Sequence, residues 1–492
     1  MKQTNLLSTR RAGVLLHITS LPNANGKGNL GKEAYNFINF LADVGIKVWQ
    51  TLPLGVPHAD GSPYQCLSAH AGNPELIDLT ELFDKGWLKG SESCSFCNAG
   101  QCFKEKCILS KAYFGFEAHA SVEEKQELID FCHDKAHWLD DFSLFSALRT
   151  QFLETCWNEW PTALKQRDPA ALKEARRTLD TTIKIIQFEQ FIFYKQWFAL
   201  KDYANKQGVL LFGDIPIFVS YDSADVWANR DVFKLNEQGN MSVVAGVPPD
   251  YFSETGQRWG NPHYDWNYLK ESNFAWWVER VQSQLEMFDI LRIDHFRGFE
   301  AAWEIPADEE TAINGTWVKA PGALLLSAFK KEFGEIPLVA EDLGIITEEV
   351  DTIRRDFKLP GMKILQFAFG DSAQNPYLPH NYEKNTVAYT GTHDNDTTLG
   401  WFNSLTAEEQ NHIYHYLGYS KASMPYLLIG TVFSSVANLA IVPMQDILEL
   451  GSEDRMNIPG TMDGNWQWQF NWEQLTKDKV EKLSGLIEMF AR

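Results

Sequence analysis

Four acidic residues stand where short apolar runs of the sequence end: Asp214, Asp294, Glu341 and Asp394. A single acid after a strand is often only the cap of the following helix. Four of them, with Arg292 and His393 alongside, are better explained as one cluster of functional carboxylates. The sequence therefore predicts a ring of carboxylates at one edge of a sheet.

Two carboxylates on either side of a glycosidic bond are the usual means of hydrolysing or transferring a sugar. Arg292 lies two residues before Asp294, so both side chains point to the same face of a strand. The guanidinium favours the ionised form of Asp294, as a nucleophile requires. Burial of Glu341 beside that anion would raise its pKa, as a general acid requires. Asp342 points the other way and is expected to be structural.

A magnesium site of the enolase type is a second interpretation of the same acids. That chemistry needs a Lys or His base near the metal. The second strand ends Gln50-Thr51-Leu52 and supplies no Lys, while Lys363 opens the sixth strand at the opposite end. The sequence favours the glycosidic chemistry.

The elements that would position these acids form a repeating pattern. Eight continuous apolar runs are typical of parallel strands buried on both faces, namely Gly13–His17, Lys47–Leu52, Val209–Asp214, Asp289–Asp294, Pro337–Glu341, Lys363–Phe367, Thr386–Thr390 and Asn438–Val442. Helical patterns lie between several of them. This alternation predicts an α/β fold, specifically a (β/α)8 TIM barrel, with its active site at the carboxyl ends of the strands.

We expect residues 1–492 to form a single catalytic barrel, because two insertions absorb the extra length. Residues of about 85–180 are predicted to be a helical subdomain inserted after strand two. Residues of about 215–285, which are rich in Gly, Pro and aromatic side chains, are predicted to be an irregular insertion after strand three. Long irregular loops of compact proteins are usually functional, so the second insertion is expected to form a substrate lid.

Composition excludes several classes of function. The 492 residues carry a formal net charge of −21, so broad binding to nucleic acid is not expected. The apolar run at residues 13–16 is too short for a signal peptide, and no run approaches the roughly 18 residues of a membrane span. We expect a cytoplasmic protein that uses no membrane. Of 17 Trp residues, seven lie between Trp227 and Trp317, around the predicted lid.

Four of the seven cysteines are closely spaced, at Cys94, Cys97, Cys102 and Cys107. Four thiolates at this spacing could close a tetrahedral zinc site, which would be structural because no coordination position stays open. Reduced thiols in a cytosolic loop are the favoured interpretation. No metal is expected in catalysis.

The segments around the four acids resemble the motif regions of the α-amylase clan, and most closely those of the 4-α-glucanotransferases. They read GDIPIFV, LRIDHFRG, VAEDLG and TGTHDNDT. The resemblance begins at RRAGVLLHITSLP, includes GSPYQCLSAHAGNP and GVPPDYFSETGQRWGNPHYDW, and closes with RMNIPGTMDGNWQWQF. One departure is Gln469, where the family usually has a basic residue, so any contact of that side chain is open.

The resemblance implies a role for each matching position. Asp294 would be the nucleophile of a covalent glucosyl enzyme, Glu341 the general acid/base and Asp394 the stabiliser of the transition state. Substrate contacts would come from the barrel mouth and from the lid, namely from Tyr64, Asp214, Arg292, His393, Asp250, Tyr251, Phe252 and Trp259. The implied substrates are maltooligosaccharides and α-1,4-glucans, and no cofactor is implied.

Two alternatives to a transferase stay open at this stage. An α-1,4-glucan hydrolase of the same clan would use the same carboxylates and differ only in how well it excludes water. A non-catalytic glucan-binding protein would keep the aromatic side chains and lack one of the three acids, whereas Asp294, Glu341 and Asp394 are all present.

Overall fold

A closed barrel of parallel strands forms the centre of the computed structural model, which describes residues 6–23, 26–89, 104–249, 253–418, 422–461 and 463–492. The strands of this described part, in chain order, are β1 Arg11–Leu15, β2 Val48–Gln50, β3 Leu210–Pro216, β4 Val243–Val247, β5 Gln257–Pro262, β6 Ile290–Asp294, β7 Ala301–Pro306, β8 Thr316–Lys319, β9 Leu338–Ala340, β10 Gly361–Ile364, β11 Thr386–Tyr389 and β12 Leu439–Pro443.

Eight of these strands close the barrel in the order β1-β12-β11-β10-β9-β6-β3-β2. They overlap the eight apolar runs of the sequence, which confirms the predicted (β/α)8 fold, although β1 runs from Arg11 to Leu15 rather than from Gly13 to His17. The sixth strand runs from Gly361 to Ile364 rather than from Lys363 to Phe367, and it ends early because Leu365–Phe367 form a 3-10 helix. Alternate side chains such as Val48, Phe212 and Ile290 fill the barrel interior, as the two-residue period of a strand requires.

The helices, again in chain order, are α1 Lys32–Val44, α2 Thr80–Asp84, α3 Lys104–His119, α4 Val122–Asp134, α5 Ala136–Gln151, α6 Thr162–Lys165, α7 Pro169–Thr178, α8 Asp180–Lys206, α9 Ala224–Ala228, α10 Trp266–Glu271, α11 Ala275–Met287, α12 Gly322–Phe333, α13 Glu348–Asp356, α14 Thr398–Ser404, α15 Ala407–Tyr416, α16 Tyr426–Ser434, α17 Met444–Ile447 and α18 Lys477–Met489. Among the described helices, none is both long and apolar enough to cross a bilayer.

Helices α3 to α7 lie in the segment for which the sequence predicts a helical insertion after strand two. Helix α4 begins with a capping box, in which Ser121 and Glu124 satisfy each other's backbone N–H groups. The long helix α8 then packs on α5 of the insertion and on α1 and β3 of the barrel. It therefore joins the inserted helices to the barrel wall.

The insertion after strand three contains more regular structure than the sequence predicts. Strands β4 and β5 form an antiparallel sheet with β7 and β8, which follow barrel strand β6, in the order β5-β4-β7-β8. Their polar, half-exposed sequences QRWGNP and TWVK lack the apolar run of a buried strand. Gly246 permits the close approach of β4 and β5, because a Cβ there would lie 2.2 Å from the carbonyl oxygen of Gln257.

Candidate active site

The register of three neighbouring strands assembles the acidic cluster. Between β3 and β6, Asp214 lies opposite Arg292 and Pro216 lies opposite Asp294. Between β6 and β9, Ile293 pairs with Ala340, so Asp294 and Glu341 follow at neighbouring strand ends. Asp214 lies inside its strand, which runs on to Pro216, and therefore sits one layer below the other two acids.

Arg292 joins this cluster from within the barrel. It donates to Asp214 Oδ2 at 2.5 Å and to Asp294 Oδ1 at 2.7 Å. The Tyr64 hydroxyl donates to the same Asp214 oxygen at 2.7 Å. The guanidinium thus occupies the space between two carboxylates where an enolase-type site would hold its metal. The described residues also contain no group of three or more His, Cys, Asp or Glu side chains arranged to hold a metal ion.

Glu341 is held by two backbone N–H groups. His295 N–H donates to its Oε2 at 2.7 Å, and Leu343 N–H donates to its Oε1 at 2.8 Å. Burial raises the pKa of Glu341, and the charge of Asp294 raises it further, against the opposing effect of Arg292. This is the direction that the sequence predicts for a general acid.

The pKa of Asp294 is shifted in the direction opposite to the one that the neighbouring Arg292 alone would produce. Burial raises its pKa above the ordinary aspartate range, and the favourable charge of Arg292 offsets this only in part. The side chain keeps 29% of its surface exposed. Its Oδ1 accepts from Arg292 while Oδ2 receives no hydrogen bond from the residues that the structure describes. The carboxylate is therefore partly exposed, with one oxygen held by Arg292.

Asp394 lies across the barrel mouth from this pair, on the loop after β11. Its Oδ1 accepts from Asn457 Nδ2 at 2.6 Å, and its Oδ2 lies 3.2 Å from His393 Nε2. Burial alone would raise the pKa of Asp394, but the His393 imidazole and the bond from Asn457 outweigh it and lower the pKa to about 2. Asp394 is therefore an anion at neutral pH.

Two of the predicted sugar contacts are aromatic and lie together. The Tyr64 and His393 rings stack with centroids 5.2 Å apart and planes 16° apart. Trp259, on β5, is half-buried and meets the His295 ring edge to face at 4.9 Å. The other three lid residues of the prediction, Asp250, Tyr251 and Phe252, lie outside the described residues.

Several residues near the acids escaped the sequence analysis. Asn457 and Arg455 reach Asp394 from the segment after β12, with Arg455 donating to the Asp394 carbonyl at 3.1 Å. Trp466 lies 6.0 Å from both the Tyr64 and the His393 ring centroids. The only signal was their presence in the closing motif RMNIPGTMDGNWQWQF, since neither spacing nor periodicity links them to Asp394.

Other predicted features have structural explanations. Asp342 accepts from the Met362 N–H at 2.7 Å and pairs with Arg354 at 3.3 Å, so it has the predicted structural role. Gln469 Nε2 faces the carbonyl oxygens of Thr19, Leu21 and Gly26 at 3.1, 3.1 and 3.0 Å. Of the proposed zinc ligands, Cys94, Cys97 and Cys102 and the side chain of Cys107 lie outside the described part of the chain.

Known proteins match nearly the whole chain. Residues 16–476 match the family model described as 4-alpha-glucanotransferase. A 4-alpha-glucanotransferase of Thermus thermophilus is 47% identical, and the alignment covers 98% of this chain and 99% of that protein. One of Clostridium butyricum is 44% identical, with 97% and 100% covered. The solved amylomaltase from Streptococcus agalactiae in complex with acarbose superposes with a TM-score of 0.93 at 40% identity, covering 98% of this chain and 99% of that one.

Proposed function

The chain belongs to the 4-alpha-glucanotransferase family, and we propose that Asp294 is its nucleophile, Glu341 its acid/base and Asp394 the stabiliser of its transition state. The enzyme is a 4-alpha-glucanotransferase that acts on glucans by a retaining mechanism. The observation that carries the assignment of roles is the different electrostatic setting of the three acids. Glu341 has a raised pKa, Asp294 is partly exposed with one oxygen held by Arg292, and Asp394 stays ionised.

In the first step, Asp294 Oδ2 attacks the anomeric carbon of the donor glucan while Glu341 gives its proton to the departing 4-oxygen. One C–O glycosidic bond breaks and one C–O ester bond forms, which leaves a β-linked glucosyl enzyme and a shortened glucan. The anion of Asp394 stabilises the positive charge that develops on the sugar ring in the transition state.

In the second step, the 4-hydroxyl of an acceptor attacks the same carbon. The Glu341 carboxylate takes its proton, the ester to Asp294 breaks, and an α-1,4 bond is restored. Water could replace the acceptor, so transfer depends on how well the site excludes it. The half-buried Trp259 and the stacked rings of Tyr64 and His393 support such exclusion.

We assign substrate contacts to the residues around the three acids. Arg292 and Asp214 support the nucleophile from below, Tyr64 and His393 contact the sugar on the donor side, and the lid supplies the acceptor side. The lid contacts of this proposal are Asp250, Tyr251, Phe252 and Trp259. Donors are maltooligosaccharides or longer α-1,4-glucans, and acceptors are glucans or glucose.

The domain organisation in this proposal is one catalytic barrel over residues 1–492. Residues of about 85–180 form its helical subdomain and residues of about 215–285 form the lid. A cytoplasmic location is consistent with the free thiols of Cys66, Cys132 and Cys156, because a reducing compartment keeps cysteines unpaired.

Incubation of the enzyme with maltotriose tests the outcome of the second step. A ladder of longer maltooligosaccharides together with glucose is the expected product pattern on chromatography. Glucose and maltose alone would show that water, not a sugar hydroxyl, accepts the glucosyl group. Glu341→Gln with an activated donor should accumulate a glucosyl ester on Asp294, which peptide mass spectrometry locates; full turnover by this variant would refute the acid/base role.

A further inference from the structure

The residue after the nucleophile has an unusual backbone conformation. His295 lies in the left-handed region, with φ 53° and ψ 48°. Non-glycine residues adopt this region infrequently, although Asn, Asp and His do so more often than others. Such a conformation at a functional site commonly serves the site rather than the fold.

The conformation at His295 aims two successive backbone N–H groups at one residue. His295 N–H donates to Glu341 Oε2 at 2.7 Å, and Phe296 N–H donates to the Glu341 carbonyl oxygen at 3.1 Å. The φ and ψ angles of His295 set the angle between the two peptide planes that carry these groups. A right-handed or extended His295 could not direct both N–H groups to Glu341.

The side chain of His295 has little capacity for proton transfer. Burial, assisted by the charge of Arg297, lowers the pKa of His295 to about 3, so the ring is neutral at working pH. Its buried Nε2 has no hydrogen-bond partner among the described residues. The ring instead meets Trp259 of the lid edge to face, with centroids 4.9 Å apart.

We propose that His295 is a positioning residue that holds the Glu341 carboxyl in its working orientation through the backbone N–H, and that Trp259 of the lid keeps His295 in the required conformation. The inference rests on the proposed acid/base role of Glu341. It links the position of Trp259 to the group that moves the proton.

The charged and titratable groups that face Glu341 in the described residues are few. Asp294 and Arg292 act on it from β6, with opposite signs. Burial raises the pKa of Tyr377, from the segment between β10 and β11, and the charges of Asp342 and Glu341 raise it further. None of these groups changes in a His295 variant, so a shift in the titration of Glu341 reports the backbone contact.

The test compares two replacements of His295 by their pH profiles of kcat/KM with maltotriose. His295→Val cannot adopt a positive φ at low cost, so it should withdraw the N–H from Glu341. Loss of a bond to the charged form favours the protonated form. The alkaline limb should therefore move up by about one pH unit, with kcat/KM about tenfold lower. His295→Asn, which tolerates the left-handed region, should keep the limb at its wild-type position.

Two further variants complete the test. His295→Ala should give a smaller shift of the limb in the same direction, and it answers the question if the Val variant does not fold. Trp259→Leu, with His295 intact, should move the limb upward by less than the Val variant does. An unshifted limb in the Val and Ala variants would overturn the role of the N–H, and an equal shift in the Asn variant would assign the effect to the imidazole instead.

The Trp259→Leu variant tests the role of the lid independently of the His295 variants. An unshifted limb in Trp259→Leu would overturn the coupling to the lid. Failure of the acid/base assignment has a different signature, because Glu341→Gln would then retain turnover whatever the His295 variants do.

Discussion

The barrel mouth holds its acids in two different ways. Asp294 and Glu341 extend from neighbouring strands and are packed against Arg292 and each other, and burial raises the pKa of both. Asp394 stands on a loop, and the bonds from His393 and Asn457 lower its pKa to about 2. The difference shows that the sign of a shift depends on whether donors to the charged form outweigh burial.

The two modes of support suit two kinds of task. A strand end can hold a nucleophile and a proton donor at a constant separation, because the register of the sheet fixes their backbones. A loop held by side chains from a remote segment can present a permanent anion at the opposite side of the sugar. Variants that remove one support at a time should separate these contributions.

The largest effect is expected from the strand-held acids themselves. Asp294→Asn removes the proposed nucleophile and should lower kcat by about 10⁴-fold or more. Stopped assays with maltotriose measure this loss. Asp342→Asn is the matched control, because this neighbouring buried acid contacts Met362 and Arg354 instead of the site. A comparable loss of kcat in the folded control would contradict the assignment.

A large loss of stability is expected below the strand ends. Asp214→Asn leaves the buried Arg292 with one anionic partner fewer and should reduce the free energy of unfolding by about 3 kcal/mol, as broken buried ion pairs do. Urea denaturation measures it. The control is Glu174→Gln, which breaks an exposed pair of similar length (2.6 Å) with Arg177. This variant should show no measurable change in the free energy of unfolding. Equal changes in the free energy of unfolding for both variants would show that solvent screens the Arg292–Asp214 pair as it screens an exposed pair.

A moderate effect is expected at the loop-held acid. Asn457→Ala removes the 2.6 Å bond to Asp394 Oδ1, so kcat should fall about tenfold through misplacement of the anion. Loss of this donor raises the pKa of Asp394 from about 2 towards its ordinary range, which remains below neutral pH. The pH profile above pH 5 should therefore keep its shape, in contrast to His295→Val. A displaced alkaline limb would mean that the loop also acts on Glu341.

The smallest effect is expected at the outer end of the same C-terminal segment. Gln469 Nε2 faces three carbonyl oxygens but has only two hydrogens to donate. A lysine ammonium group has three hydrogens. Gln469→Lys should raise the melting temperature by about 1 °C and Gln469→Ala should lower it by a similar amount. Calorimetry on the two variants and the parent measures these melting temperatures. A lower melting temperature for the Lys variant would contradict the idea that a third hydrogen-bond donor stabilises the protein.

The strands and the acids at their ends were predictable because both depend on local patterns. A buried parallel strand is a continuous apolar run, and an Asp or Glu that ends such a run stands out. The predicted end of the sixth strand, Phe367, lies three residues beyond the observed end, Ile364, because MKILQF continues the apolar pattern into a 3-10 turn. The sheet formed by β4, β5, β7 and β8 was missed because its strands come from two separate insertions.

The supports of the acids could not be predicted in the same way. Tyr64 meets Asp214 across 150 residues of chain, and Asn457 meets Asp394 across 63. Neither contact follows from the periodicity of a helix or strand, and loops have no strand register from which a contact could be predicted. The left-handed conformation of His295 likewise has no signal in its neighbours, since His at such a position reads like any polar residue after a strand.

From the amino-acid sequence, the barrel and the glucanotransferase family follow, because strand patterning is local and the motifs are contiguous. The resemblance also singles out Asp294, Glu341 and Asp394 as the proposed catalytic acids. The tertiary structure alone decided how each acid is tuned. Burial and the charge of Asp294 raise the pKa of Glu341, two donors lower that of Asp394, and the backbone of His295 supplies an N–H to the Glu341 carboxyl. Such effects depend on distances of about 3 Å between remote segments, which only folding brings together.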